Sequence, residues 1–442
     1  MRVVVVGAGL AGLVAAQRLA QADVSVDVIE AGDRIGGRVR TVRDRFTAGQ
    51  YVESGAEWID TDHHRMLALL DRYGLSLQGR GQQWTAIRRL LFRDGVMLDP
   101  DQIRAHDPRL DRDLRRFEDA LLDVAAGIDD TSRPDLHLQA TAIDQRSLAD
   151  LARDLDLGPL AAMFTAFGSQ GEFAEEPHGV SMLFAAQQRA QTAAAGGGES
   201  VSAHRVDGGL GSLIAALAAD VAVAVGGISM RERLLGVRWG ENGVEVETDR
   251  RSIDADHVVL ACSLVPLRRV RFDPALPGPL AAAVERLAYG TVTKTALQYP
   301  RREWRAGYAN TTLPIQRVYE PTTDQSGAPG VLMAYTGGAG GRDLARLDET
   351  QRMGVVAGHL ETMYGMEVAP LGGFSRAWSN EERFGGSYAV YAPGQVMAHW
   401  HVLRQPCGPV HLAGEHVASW TGYLEGAVES AERVAAELVA SQ

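Results

Sequence analysis

The feature that most constrains this chain stands at its beginning. Arg2-Val3-Val4-Val5-Val6 runs directly into Gly7-x-Gly9-x-x-Gly12, and Leu10 to Ala20 is rich in Ala and Leu. A near-continuous β-branched run suits a central parallel strand buried on both faces, and the Ala/Leu segment suits a helix. A second short strand is predicted over Val24 to Ile29, ending at Glu30. Strand, glycine turn, helix, strand and acidic residue together make a complete βαβ unit for a dinucleotide. Gly7 permits the tight turn, Gly9 bares backbone amides for a pyrophosphate, and Gly12 lets the helix close on the sheet. The helix N-terminus presents oriented amides to the phosphates. Glu30 can accept both ribose hydroxyls and would repel a 2′-phosphate.

With 442 residues, the chain is long enough for two or three domains. Its net charge of -12 argues against broad nucleic-acid binding and against attraction to anionic lipid. The two cysteines, Cys262 and Cys407, form no clustered ligand pattern and are expected as unpaired thiols in a reducing cytoplasm. The apolar start reads as a strand rather than a signal peptide. Leu213 to Val225, interrupted by Asp220, is too short to span a bilayer. The dense charge run from Asp107 to Arg116 reads as a solvated helix face.

Beyond Glu30 comes Ala31-Gly32-Asp33-Arg34-Ile35-Gly36-Gly37-Arg38-Val39-Arg40. A glycine pair can run close to a dinucleotide while a flanking guanidinium makes bidentate phosphate contacts. From this point the chain resembles the flavin monoamine oxidase family, whose members carry a glycine turn, an acidic strand end and a GGR segment. That resemblance implies FAD rather than NAD. It also implies an α/β FAD-binding Rossmann-like domain interleaved with an α+β substrate domain, a monoamine-oxidase-like two-domain architecture. On that pattern 1–74, 205–270 and 395–442 would build the FAD domain. The mostly helical 75–204 and the sheet segment 271–394 would build the substrate domain.

The resemblance also places the site residues. Gly55 and Ala56, in Val52-Glu53-Ser54-Gly55-Ala56-Glu57-Trp58-Ile59, match a loop beside the flavin, and the segment around Ile228 would meet the adenine. Lys294 is a charge inside a β-patterned run and therefore costly to bury alone. It matches the lysine that holds a water against flavin N5, and a solvent-facing strand edge is the alternative. Trp378 leads into Gly385-Gly386-Ser387-Tyr388. Ser387 stands where mammalian-type members carry the cysteine that bonds to flavin, so the FAD is expected to be non-covalent. Tyr388 matches one wall of an aromatic cage, and Tyr423, in Trp420-Thr421-Gly422-Tyr423-Leu424-Glu425-Gly426, matches the other. Gly414 and Glu415 match the ribityl and pyrophosphate region, while Val417 departs from the family's threonine.

These matches imply oxidation of a primary or secondary amine to an imine, then to an aldehyde or ketone, with oxygen reduced to hydrogen peroxide. The expected partners are a small-molecule amine and molecular oxygen, with no metal, nucleic acid or membrane, and a homodimer is compatible with them. Amino-acid oxidases commonly carry an arginine near the first flavin loop, and Gly55-Ala56-Glu57-Trp58 has none, which favours amines. Arg65, Arg189, Arg305 or Arg317 could still enter from another element, so an L-amino-acid oxidase stays open. Glu57 would suit a polyamine, or would support the flavin loop. Phe167, Phe173 and Phe184 are expected near the entrance wall. A flavin-binding protein without turnover is the non-enzyme alternative.

Overall fold

The computed structural model describes residues 1–78, 89–197, 204–240, 243–304 and 307–441. Two sheets organise the chain. The first is five-stranded and parallel, in the order Val410–Leu412, His257–Leu260, Arg2–Val6, Ser25–Glu30, Ile228–Met230. Arg2–Val6 is central, and Val3 to Val5 are fully buried. Burying each such side chain contributes about 1.5–3 kcal/mol, which is why a run with no polar alternation suits this position. The helices Leu10–Gln21, Gly211–Val225 and Leu424–Ala440 pack together beside this sheet. The apolar stretch that ends at Val225 is thus a core helix, and no described helix is long and apolar enough to cross a membrane.

The second sheet has seven strands in the order Gly372–Ala377, Val292–Tyr299, Gly330–Gly337, Arg317–Tyr319, Tyr308–Thr311, Arg89–Arg93, Val96–Leu98. The last two form a hairpin inside a stretch whose sequence reads as mostly helical. Leu90, Leu91 and Phe92 are too short a run for periodicity to separate a strand from a helix turn. Helices Leu110–Ala125, Pro159–Glu172 and Met182–Ala194 belong to the same part of the chain. A smaller sheet joins Leu234–Gly240 and Gly243–Thr248 to Ser252–Ala255 and Arg271–Asp273. Both sheets draw on segments that alternate along the sequence, so the chain is a mixed α/β fold with a Rossmann-like sheet and a separate helical and sheet region. Cys262 and Cys407 are both free.

Candidate active site

The glycine turn is built as its spacing requires. Gly7 has a φ of 106°, and its amide bonds the Ile29 carbonyl, which fixes the turn to the neighbouring strand. Helix Leu10–Gln21 starts so close to that turn that a Cβ on Gly12 would lie 1.8 Å from the Gly7 carbonyl oxygen. Glu30 ends the second strand with both carboxylate oxygens accepting backbone amides, from Ala8 at 2.9 Å and Gly32 at 2.6 Å. Arg34 turns inward and donates to the Ile35, Gly37 and Val39 carbonyls, so it holds the GGR loop itself. Burial pushes its pKa down to about 10.

A cavity of about 1170 Å³ extends from this cradle to the seven-stranded sheet. It exceeds the ~300–1,000 Å³ usual for one small ligand, as a dinucleotide plus a substrate requires. Of the residues singled out in sequence, Gly7, Gly9, Glu30, Arg38, Gly55 and Ala56 line it. So do Lys294, Trp378, Ser387, Tyr388, Gly414, Glu415 and Tyr423. Gly12 lies behind the turn, where it packs. Ile228, expected beside the adenine, pairs with Val28 at the sheet edge, and within its segment Glu232 to Leu235 line the cavity. The reason is a turn at Arg231, whose φ of 55° brings Glu232 back to bond the Glu30 carbonyl.

The residues present fit a bound FAD. Bare backbone at Gly9 and Gly37 faces the cavity, Glu30 stands at the strand tip, and both ring nitrogens of buried His416 lack any partner on the same wall. Burial lowers the pKa of His416 to about 4, so its ring is neutral. The Ser387 hydroxyl donates to the Gly290 carbonyl at 2.7 Å, and an alcohol there forms no thioether. Arg38 bridges the Glu415 carboxylate at 2.7 Å and the Ser387 carbonyl at 2.8 Å. Glu415 also accepts the Gly422 amide at 3.0 Å, so this pair ties the two tyrosine segments together.

Lys294 is interior, not a strand edge. Its strand is paired on both sides, and all eight of its residues are buried. Its ammonium donates to Glu57 Oε2 at 2.8 Å and to the Gly55 and Glu53 carbonyls at 2.9 and 3.3 Å. Glu57 further accepts the Tyr319 hydroxyl at 2.6 Å, so it supports the loop rather than offering a free anion. Neighbouring Glu53 accepts from Thr41 and from the Leu210 amide while its second oxygen stays unpartnered, and burial raises its pKa from 4.5 to about 7. A carboxyl whose folded pKa is raised stabilises the fold fully below its unfolded pKa and loses that contribution as pH rises through the folded value. Glu53→Gln is therefore expected to raise the melting temperature relative to the parent more at pH 8 than at pH 5, by the equivalent of about 3 kcal/mol. A gap that does not change with pH would defeat this assignment.

Gly422, the residue before Tyr423, lies against Tyr388: a Cβ on it would be 3.2 Å from the Tyr388 ring. The Tyr388 hydroxyl bonds that of Tyr335 at 3.0 Å. The Tyr423 ring packs edge-on against Trp420 and His63, with centroids 5.5 and 5.3 Å apart. Burial raises the pKa of all three tyrosines, so all are neutral phenols. Glu425, also within the tryptophan-tyrosine motif, caps helix His64–Arg72 by accepting the Arg65 and Met66 amides.

Sequence reading misses Tyr335 and Phe164, both of which line the cavity. Tyr335 pairs directly opposite Lys294, a register that spans about forty residues and leaves no local signal. Phe167 joins Phe164 edge-on at the wall, whereas Phe173 and Phe184 pack against each other in the core. Of the candidate arginines, Arg65 pairs with Glu425 and Glu432, and Arg189 with Glu118 and Glu172. Arg317 faces the cavity, and Arg305 lies outside the described residues.

Comparison with known proteins agrees with this geometry. The family model described as flavin containing amine oxidoreductase matches residues 10–439. AofH of Mycobacterium tuberculosis, described as a candidate flavin-containing monoamine oxidase, is 30% identical, covering 99% of this chain and 96% of its own. An L-amino acid dehydrogenase of Synechocystis is 26% identical, covering 99% and 94%. The structure of a putrescine oxidase bound to putrescine superposes with a TM-score of 0.87 at 25% identity, covering 100% and 99%. The chain belongs to the flavin-containing amine oxidoreductases.

Proposed function

We propose that the protein oxidises a primary or secondary amine at the tyrosine-lined end of the cavity, with non-covalent FAD lying along the glycine cradle. A bound FAD would supply the redox chemistry, in which a hydride equivalent leaves the amine α-carbon and oxygen is reduced to hydrogen peroxide, and water would hydrolyse the resulting imine. The observation that carries this reading is the continuity of one cavity from the Gly7–Gly9 turn to the tyrosine cluster.

The protein's own groups bind, orient and exclude water. The rings of Tyr388 and Tyr423 hold the amine by their electron-rich faces, and Tyr335 fixes the Tyr388 hydroxyl. Moving the amine from water into this chamber lowers its pKa and favours the neutral, reactive form. Lys294, held by Glu57, supplies a fixed positive charge and a donor beside the Gly55–Ala56 loop. Glu415 and Arg38 set the separation of the two tyrosine segments and act on no proton of the substrate. A cytoplasmic location is part of the same reading and rests on the two free cysteines.

The test is anaerobic mixing of the yellow holoprotein with a panel of amines and amino acids. Bleaching of the flavin by members of the panel is expected, followed by recovery of colour and release of peroxide when air is admitted. A flavin that no amine or amino acid bleaches would sink the oxidase reading.

A further inference from the structure

The positive side chains of the cavity differ in one respect. Arg38 has Glu415, Lys294 has Glu57, and Arg189 has both Glu118 and Glu172. Arg317 has no carboxylate partner among the described residues, and it is half-buried, whereas Arg89 and Arg269, which also line the cavity without one, are exposed. The Arg317 guanidinium donates to the Phe167 carbonyl at 2.9 Å and lies over the rings of Tyr308 and Tyr335, 5.0 and 5.7 Å from their centroids. The ionisable groups that act on it most are Tyr335, Tyr388, Tyr319 and Arg89, three neutral phenols and a second cation. Of the acids on this part of the lining, Glu57 is held by Lys294, Glu118 and Glu172 are held by Arg189, and Glu172, Asp60 and Asp62 act on Tyr423.

Its position follows from the sheet. Lys294 pairs with Tyr335, Tyr335 with Arg317, and Arg317 with Asn310, and all four line the cavity. The Tyr335 ring therefore has the Lys294 ammonium 5.9 Å from its centroid and the Arg317 guanidinium 5.7 Å from it. Tyr335 also bonds Tyr388, which places the guanidinium one ring away from the proposed amine cage. The guanidinium packs so tightly on Gly171 that a Cβ there would lie 2.1 Å from its nitrogen, so its place is fixed. A desolvated cation without a counter-ion is costly, and a planar fork beside a substrate chamber is suited to bidentate contact with a carboxylate.

We propose that the substrate amine also carries a carboxylate, that is, that it is an amino acid, and that Arg317 binds this carboxylate. This deepens the amine-oxidase reading and rests on it. The missing anion arrives with the substrate, and a simple amine leaves the guanidinium unpaired.

The experiment uses two independent measurements on the holoprotein. In the first, anaerobic flavin bleaching is timed with matched pairs, L-phenylalanine against 2-phenylethylamine and 6-aminohexanoate against hexylamine. At least one acid is expected to exceed its matched amine by about 100-fold in second-order rate, and Arg317→Met to bring that ratio to about one or below. Arg317→Lys, which keeps the charge and loses the fork, is expected to fall between the two. In the second, calorimetry compares binding of 3-phenylpropanoate with that of 3-phenylpropan-1-ol, neither of which has an amine to oxidise. The acid is expected to bind tighter, and Arg317→Met to remove the difference. Simple amines outpacing the acids, with a ratio that Arg317→Met leaves alone, would overturn the proposal. Failure of every compound to bleach the flavin would overturn the oxidase reading, and the calorimetric difference would then decide carboxylate binding separately.

Discussion

Gly9→Ala is expected to give a folded protein that has lost its FAD, whereas Gly12→Ala is expected not to fold stably. The two glycines stand three residues apart and do different work. Gly9 has a φ of -76°, which any residue adopts, and a Cβ there would meet only the Gly37 Cα at 3.8 Å. Alanine at this site therefore fits the protein without cofactor. Its methyl group instead occupies the face on which the pyrophosphate must approach the amides, and affinity for FAD should fall by about 100-fold or more. At Gly12 the added carbon would lie 1.8 Å from the Gly7 carbonyl oxygen. That oxygen belongs to a turn pinned by the Gly7 amide on Ile29, so the helix must move off the sheet. Overpacking typically costs about 1–3 kcal/mol, and more is expected here because both partners are backbone. Flavin-to-protein ratio and thermal melting, measured on both variants, separate the cases. Full flavin occupancy in Gly9→Ala, or a normal melting temperature in Gly12→Ala, would contradict these roles.

These two residues also show what kind of information the sequence holds. The βαβ unit is legible because its determinants are local: β-branched run, glycine spacing and terminal acid lie within thirty residues. The tyrosine motifs are legible through resemblance, since each is a short contiguous string. What stays hidden is set by pairing between distant strands. Tyr335 flanks the site because its strand registers against that of Lys294, and Arg317 because its strand registers in turn against that of Tyr335, and nothing near either residue encodes those registers. The same holds for Lys294 itself, whose sequence context allows an exposed edge or a buried centre. Only its two pairing partners decide between them. Ile228 illustrates the local limit, since one left-handed residue at Arg231 moves the cavity wall several positions along the chain.

Lys294→Met is expected to slow reoxidation by oxygen about 100-fold while slowing anaerobic reduction by substrate far less, because the proposed task of the ammonium belongs to the oxidative half of the cycle. The substitution also has a structural cost that must be separated from this effect. The lysine is 4% exposed and its partner Glu57 is buried, so methionine leaves the carboxylate with only the more distant Arg205, 3.8 Å away, and two carbonyls without that donor. Breaking a buried pair by removing one member costs about 3–5 kcal/mol. Adding Glu57→Gln removes the stranded charge and retains a side-chain oxygen that can accept the Tyr319 hydroxyl. The double variant is therefore expected to regain most of the lost stability. Its reoxidation should remain as slow as in Lys294→Met, since the positive charge is still missing. If the double variant recovers reoxidation along with stability, Lys294 acts only by holding the Gly55 loop. If reoxidation is as fast in Lys294→Met as in the parent, the lysine has no part in the oxygen reaction.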